Sequence, residues 1–255
     1  MFNVKDFYDD LASDYHLMFE DWSASVRNQG NVLHKFLQAS LASPPLTILD
    51  CTCGIGTQSI GLALHGYKIR ATDISSSAID RARLEAKKFE VSLEFAQANL
   101  LTLDSQVGGE FDLVISCDNS VSHLVTDADL DLAMKNIFSK VKRGGHFLAT
   151  TRDYGALLAN RPCTTMPILS EKEGERRVSF QIWKWAADLK TYHLELFFFH
   201  DKDGRWDVRS KTGMYRALTR DELNGSLALA GFKEIKWYFP NTTGFYQPLV
   251  VATKP

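Results

Sequence analysis

Apolar residues at helical spacing, Val26, Leu33, Phe36, Leu37 and Leu41, predict a helix over 24–42, which Ser43, Pro44 and Pro45 then stop. A short apolar run at 46–51 (LTILDC) predicts a strand, followed by a turn bearing Gly54 and Gly56 and by a helical segment at 59–65 that Gly66 ends. The alternation continues with a strand at 67–72, a helix at 77–89, strands at 93–97 and 111–117 and a helix at 130–141. After Arg143, Gly144 and Gly145, a fifth strand is expected at 146–151. Strands alternating with helices predict a parallel sheet covered on both faces.

Beyond Tyr154 the texture changes. Segments 178–186, 192–200 and 205–212 read as successive strands without helices, with Asp201, Lys202, Asp203 and Gly204 as a hairpin turn, so an antiparallel insertion is expected. Thr219 is positioned to N-cap a helix running to Gly231, and 234–239 and 249–253 read as closing strands. The expected organisation is an N-terminal helical lid and first helix at 1–45 and a core at 46–154. An insertion at 155–216, acting as substrate lid or dimer contact, precedes a return to the core at 217–255.

A chain of 255 residues with 45% hydrophobic and 24% charged residues can bury a sizeable core, which excludes a disordered tail or a disulfide-stapled module. The net charge of −2 gives no general electrostatic reason to bind nucleic acid or an anionic membrane, and a small-molecule partner is expected. Cys51, Cys53, Cys117 and Cys163 lack the paired spacing of secreted disulfide frameworks. Acidic residues stand where a secretory leader needs basic ones, and no segment reaches the roughly 18 apolar residues that span a bilayer. A cytoplasmic location is the expectation.

The loop from Asp50 through Cys53 to Gly56 lies where a strand hands over to a helix, so the backbone can approach a ligand and the helix start offers unpaired N–H groups. Asp73 ends the next strand, 73 − 56 = 17 residues on, where a carboxylate can accept from both ribose hydroxyls. Ser59 occupies the place of the third glycine of a dinucleotide fingerprint, and Asp50 suits a cationic ligand better than phosphates. A positively charged nucleoside fits these features best.

With ILDCTCGIGTQSIGLA, ATDIS, ANLLTL and SCDNSVSHL in this order, the sequence resembles the class I S-adenosylmethionine-dependent methyltransferases over about residues 5–255. Within them it is most similar to the glycine and glycine/sarcosine N-methyltransferase group, through Thr52, Ala98-Asn99 and the run Asn119-Ser120-Val121-Ser122-His123-Leu124. Where that group carries Arg-Asn-Tyr after the fifth strand, this chain reads Arg152-Asp153-Tyr154. The resemblance implies a Rossmann-like, mostly parallel seven-stranded sheet with helices on both faces plus the antiparallel insertion. It also implies S-adenosyl-L-methionine as cofactor. Gly54 and Gly56 would support the methionine and ribose portion, Asp73 the ribose, Ile74, Asn99 and Leu100 the adenine, and the Cys117 backbone the amino group. The 8–15 segment resembles the family's lid, with Tyr15 and Trp22 near the sulfonium and Arg27 near the cofactor carboxylate.

A sulfonium methyl is already an activated electrophile, so the protein must align donor and acceptor and exclude water, and no dedicated base is required. Arg152 is the expected grip on an acceptor carboxylate, Asn119 could orient the acceptor, and Tyr154 and Tyr215 could line its pocket. His123 could act as a base or as a hydrogen-bonded structural residue. Cys51 and Cys53 have no partner pair, so no zinc is expected. Phe180, Trp183, Trp185, Phe197, Phe198, Phe199 and Trp206 could cage a methylated cation or, more commonly, form the core or docking face of the insertion, and a homodimer remains open. The charged run at 171–177 is expected to be a solvated loop.

The leading function is methyl transfer to a small acceptor, most simply the amine of an amino acid such as glycine or sarcosine. Another small carboxylate, a sugar or a natural-product precursor is the alternative acceptor. A nicotinamide-dependent oxidoreductase would also use the turn and Asp73, though the missing third glycine counts against it. A nucleic-acid methyltransferase would carry an Asp/Asn-Pro-Pro-aromatic run where Cys117-Asp118-Asn119-Ser120 stands. A cofactor-binding module without catalysis is the last alternative.

Overall fold

The structure is a computed structural model that describes residues 3–41, 44–172 and 174–255; Ser43, one of the expected helix stops, lies outside the described residues. Two helices come first, α1 (Val4–Leu11) and α2 (Trp22–Ser40), the second capped by the Asp21 side chain, which accepts from the Ala24 N–H. The alternating part then runs β1 (Thr47–Asp50), α3 (Thr57–Ala63), β2 (Lys68–Asp73), α4 (Ser76–Lys88) and β3 (Glu94–Gln97). It continues through α5 (Leu103–Gln106), β4 (Phe111–Ser116), α6 (Asp127–Lys140) and β5 (Val141–Thr150). After α7 (Tyr154–Asn160) come β6 (Ile168–Lys172), β7 (Glu175–Trp185), β8 (Thr191–Lys202) and β9 (Arg205–Arg216). The chain closes with α8 (Arg220–Ala230), β10 (Lys233–Tyr238), α9 (Pro240–Thr243) and β11 (Leu249–Thr253).

One sheet has seven strands in the order β10-β11-β5-β4-β1-β2-β3. Neighbours from β5 to β3 pair parallel, and β11 runs antiparallel to both β5 and β10. Because side chains alternate across a strand, Ile48, Leu113, Ile115 and Leu148 pack on Leu33, Phe36 and Leu37 of α2. Their neighbours Leu49, Val114, Phe147 and Ala149 pack on α6 and α8. Both faces are therefore covered, as near-continuous apolar strands require. On the α2 side the covering is very close: a Cβ added to Gly30 would sit 2.4 Å from the Gly61 carbonyl carbon, so α2 and α3 touch backbone to backbone.

The second sheet is antiparallel, in the order β6-β7-β8-β9. Its inner face presents Trp183, Tyr192, Leu194, Leu196 and Phe198 to Phe7 and Leu11 of α1, which fastens the N-terminal helix over the core. Phe180, Phe197 and Phe199 stack on the opposite face, so alternation divides the aromatic residues into two sets. The turn between β8 and β9 is tighter than the four residues expected. Only Asp203 and Gly204 form it, with φ of 52° and 78°, the left-handed pair that matches the twist of a hairpin.

Two expectations are corrected. The 171–177 run is mostly strand rather than loop, because Glu171 and Lys172 pair across the ladder with Arg176 and Glu175; Glu173 lies outside the described residues. Residues 143–145 lie inside β5, where a register shift against β4 between Phe111 and Leu113 absorbs them. Cys163 is exposed, whereas Cys51, Cys53 and Cys117 are buried, with burial raising each of these three thiols well above the ordinary range. Among the described residues no helix is long and apolar enough to cross a membrane.

Candidate active site

The loop after β1 is drawn over the end of β2 by its own backbone. The Cys53 N–H donates to the Thr72 carbonyl at 2.9 Å, and the Gly54 N–H donates to Asp73 Oδ2 at 2.8 Å. Gly56, at φ 95°, makes the left-handed step into α3. Asp73 Oδ1 accepts the Ser75 N–H at 2.9 Å, so two backbone amides aim the carboxylate while its remaining lone pairs stay open. Burial raises its pKa to about 6, against the lowering effect of the Ser75, Gly54 and Ile74 backbone N–H groups.

Asp50 lies beneath this loop. It is buried, accepts from Ser59 Oγ at 2.6 Å and from the Thr52 N–H at 3.2 Å, and burial raises its pKa to about 7. Among the described residues Ser59 thus supplies the one side-chain donor to Asp50 Oδ2, a physical reason for the absence of a third glycine there.

Two cavities open at this end of the sheet. The first, about 490 Å³, is lined by Cys53, Gly54, Asp73, Ile74, Asn99 and Leu100. The second, about 460 Å³, lies toward the antiparallel sheet and α2 and is lined in part by Arg152, Gln181 and Tyr215. Tyr8, Tyr15 and Asp118 line both, so the cavities meet there.

Of the residues expected to hold a cofactor, Tyr15, Cys53, Gly54, Asp73, Ile74, Asn99 and Leu100 line the first cavity. Asn99 is shaped by its own turn, its side chain accepting the Leu101 N–H at 2.9 Å. Gly56, Asp50 and Cys117 are buried behind the residues that line that cavity. Trp22 and Arg27 stand away from both cavities: Trp22 Nε1 donates to Thr57 Oγ1 at 3.0 Å, and the Arg27 guanidinium lies 5.1 Å from the Phe89 ring centroid. Tyr8 and Tyr15 of the 8–15 segment line both cavities, and α2 contributes Ser25, Asn28, Gln29 and Val32 to the second.

His123 lines the first cavity, but its geometry is that of a fixed hinge pin. Its Nδ1 lies 3.0 Å from the Met214 carbonyl and carries the proton, leaving Nε2 to accept from the Tyr8 hydroxyl at 2.8 Å. Burial lowers its pKa to about 3. It is held neutral with its basic nitrogen occupied, which suits it to holding α1 down and not to taking a proton.

Asn119 and Tyr154 are buried and support Arg152. Asn119 Nδ2 donates to the Tyr154 hydroxyl at 2.9 Å, and Asn119 Oδ1 accepts the Arg152 N–H at 3.1 Å. The guanidinium donates to the Tyr192 hydroxyl at 2.6 Å and to Gln181 Oε1 at 3.0 Å, and lies 4.6 Å from the Trp183 centroid. Burial opposes its charge, but the oxygens of Tyr192, Tyr154 and Tyr215 more than offset this, so it stays a cation. Sequence reasoning missed Asp118, Gln58, Gln181 and Tyr192 as site residues. Only Asp118 left a signal, an acid beside an asparagine at the end of a strand.

A methyltransferase domain family matches residues 48–145. Over a longer stretch the chain is similar to a protein named as a methyltransferase from Geobacillus sp. (strain WCH70), 30% identical over 186 residues that cover 72% of this chain and 73% of that one. The chain belongs to the class I S-adenosylmethionine-dependent methyltransferases. This methyltransferase is also similar to the glycine/sarcosine N-methyltransferase of Parasynechococcus marenigrum (strain WH8102), 30% identical over 138 residues, 54% of this chain and 48% of the relative. With the mouse glycine N-methyltransferase the share of the relative is 42%, so the chain spans about half the length of these curated relatives. Its fold is similar to that of an S-adenosylmethionine-bound amino pentose methyltransferase from Micromonospora echinaspora, with TM-score 0.74, 17% identity, and 100% and 98% of the two chains covered.

The family's cofactor is S-adenosylmethionine, and the first cavity fits it. Its volume lies in the range of nucleoside sites, Asp73 offers open lone pairs for a diol, and Ile74, Leu100 and Leu101 form apolar walls for a base.

Proposed function

We propose that this methyltransferase places a methyl group on the amine of a small carboxylate-bearing acceptor, an amino acid such as glycine or sarcosine, bound in the second cavity. The observation that supports this reading is Arg152. It is a guanidinium in the wall of that cavity, and among the described residues it forms no ion pair. A cation held in place by tyrosine and glutamine oxygens has N–H donors to spare, and a carboxylate accepting two of them would supply the missing counter-charge.

The bound cofactor supplies an electrophilic methyl on a sulfonium. Asp73 would hold the ribose hydroxyls, Cys53 and Gly54 would support the nucleoside, and Tyr8 and Tyr15, which line both cavities, would exclude water from the junction. Arg152 anchors the acceptor so that its amine faces the junction of the cavities. The acceptor amine would react as the free base, its ammonium proton having been released beforehand, and its lone pair would take the methyl that the cofactor would supply, with the S–C bonding pair going to sulfur.

A second reading has its own support, since the second cavity of about 460 Å³ offers more room than glycine fills. A larger amine-bearing acceptor, such as an amino sugar, would use the same junction without needing Arg152. The test is release of S-adenosylhomocysteine with glycine, sarcosine, dimethylglycine and amino sugars. Arg152→Lys is expected to raise KM for the amino acid at least tenfold while the Kd for the cofactor changes less than threefold. Equal losses on both would refute the anchoring role.

A further inference from the structure

Asp118 is the residue whose geometry the fold holds in place at evident cost. It follows β4 with φ of 57°, and Asn119 follows it with φ of 65°, two consecutive non-glycine residues in the left-handed region. The conformation is fixed from several sides. The Asp118 N–H donates to Thr150 Oγ1 at 2.9 Å, and the Asn119 N–H donates to the Thr150 carbonyl at 3.0 Å. The effect is to turn an acidic side chain to the place where the cavities meet.

That carboxylate is short of donors. Oδ2 accepts from Gln58 Nε2 at 3.1 Å and from the Tyr15 hydroxyl at a long 3.4 Å, while Oδ1 is buried without a partner. A carboxylate can accept roughly four hydrogen bonds, and the shortfall is costly away from water. Among the described residues neither Asp118 nor Arg152 belongs to any ion pair, yet both line the second cavity. Asp118 also lines the first cavity and Arg152 does not, so the negative end of the second cavity is the end nearest the cofactor.

We infer that Asp118 is a substrate-contacting residue that holds the acceptor's amine at the junction, so that the second cavity recognises a zwitterion by both ends, carboxylate on Arg152 and amine on Asp118. The inference rests on the amino-acid reading above. It deepens that reading by assigning the amine end, and with it the direction in which the acceptor enters. A ligand carrying both charges compensates two buried groups at once, whereas a plain carboxylate compensates one.

The test is calorimetric binding of two probes, glycine and acetate, to full-length protein saturated with S-adenosylhomocysteine, so that no turnover intervenes. Asp118→Asn is the variant of choice because asparagine tolerates the left-handed region. It is expected to raise the Kd for glycine at least tenfold and to leave that for acetate within twofold. Arg152→Lys should weaken both probes. The affinity of Asp118→Asn for S-adenosylmethionine should stay within threefold of the parent, and its Tm should confirm the fold; if it does not fold, methylamine against acetate as probes of the parent protein decides the point, since a junction carboxylate requires the amine to bind. Unchanged glycine affinity in the variant, or a loss confined to S-adenosylmethionine, would overturn the assignment of Asp118 and leave Arg152 standing. Failure of the parent protein to bind either probe would instead overturn the Arg152 reading, and this inference with it.

Discussion

Asp73 and Asp50 carry carboxyl groups into a nearly dry wall, and burial raises them to about 6 and about 7. For Asp73 the sign is fixed: a folded-state pKa above the ordinary value favours the protonated form as pH falls, and a protonated carboxyl is a poorer acceptor for a diol. The Kd for S-adenosylmethionine should therefore rise as pH falls through about 6, and binding near that pH should release protons, read by calorimetry in two buffers of different ionisation enthalpy. Asp73→Asn should weaken binding by roughly 1.5–3 kcal/mol, about 10- to 150-fold, and flatten the pH dependence. A pH-independent Kd in the parent protein would count against the assignment. At this scale the sequence was legible where spacing alone places a residue, as with Gly54 and Asp73. It was not legible where the fold decides which face of a helix meets a cavity, so Trp22 and Arg27 pack on Thr57 and Phe89 instead, and it gave only a hint of Asp118.

Among the elements, the crossing of α2 and α3 admits no side chain. Gly30→Ala places a Cβ 2.4 Å from the Gly61 backbone, so a helix must shift, at a cost of roughly 1–3 kcal/mol. Gly225, inside α8 with nothing within 4 Å, is the contrast: Gly225→Ala should stabilise by about 0.5–1 kcal/mol through helix propensity. Calorimetric Tm values for the two variants should move in opposite directions, and equal shifts would contradict the close crossing. The helix at 220–230 was legible because Thr219 and Glu222 form a reciprocal capping box and Gly231 ends it at φ 110°. β6 was not, because Ile168–Lys172 is a short edge strand with two charged residues and forms only by pairing with β7. The α1 helix is fastened to the rest of the molecule at two points: Asp9 accepts from Ser75 Oγ at 2.6 Å and the Ser77 N–H at 3.1 Å, and Lys211 reaches Asp10 at 2.7 Å.

In the whole molecule, the sheet order reverses direction at β1, with β2 and β3 on one side and β4 and β5 on the other. A crevice at the carboxyl ends of strands that diverge in this way is a general consequence of doubly wound topology. The first cavity lies in that crevice, and the antiparallel sheet with α1 adds the wall that creates the second. The alternation of strands and helices made the main sheet legible. The meeting of the two cavities was not, since it depends on how the second sheet docks, which no local pattern encodes. A crystal structure of the protein with S-adenosylhomocysteine and sarcosine tests the central claim most directly. The expected result is the ribose on Asp73, the sarcosine carboxylate on Arg152 and its nitrogen between Asp118 and the sulfur. A nucleoside bound elsewhere, or an Asp73 carboxylate turned out of the first cavity, would contradict it.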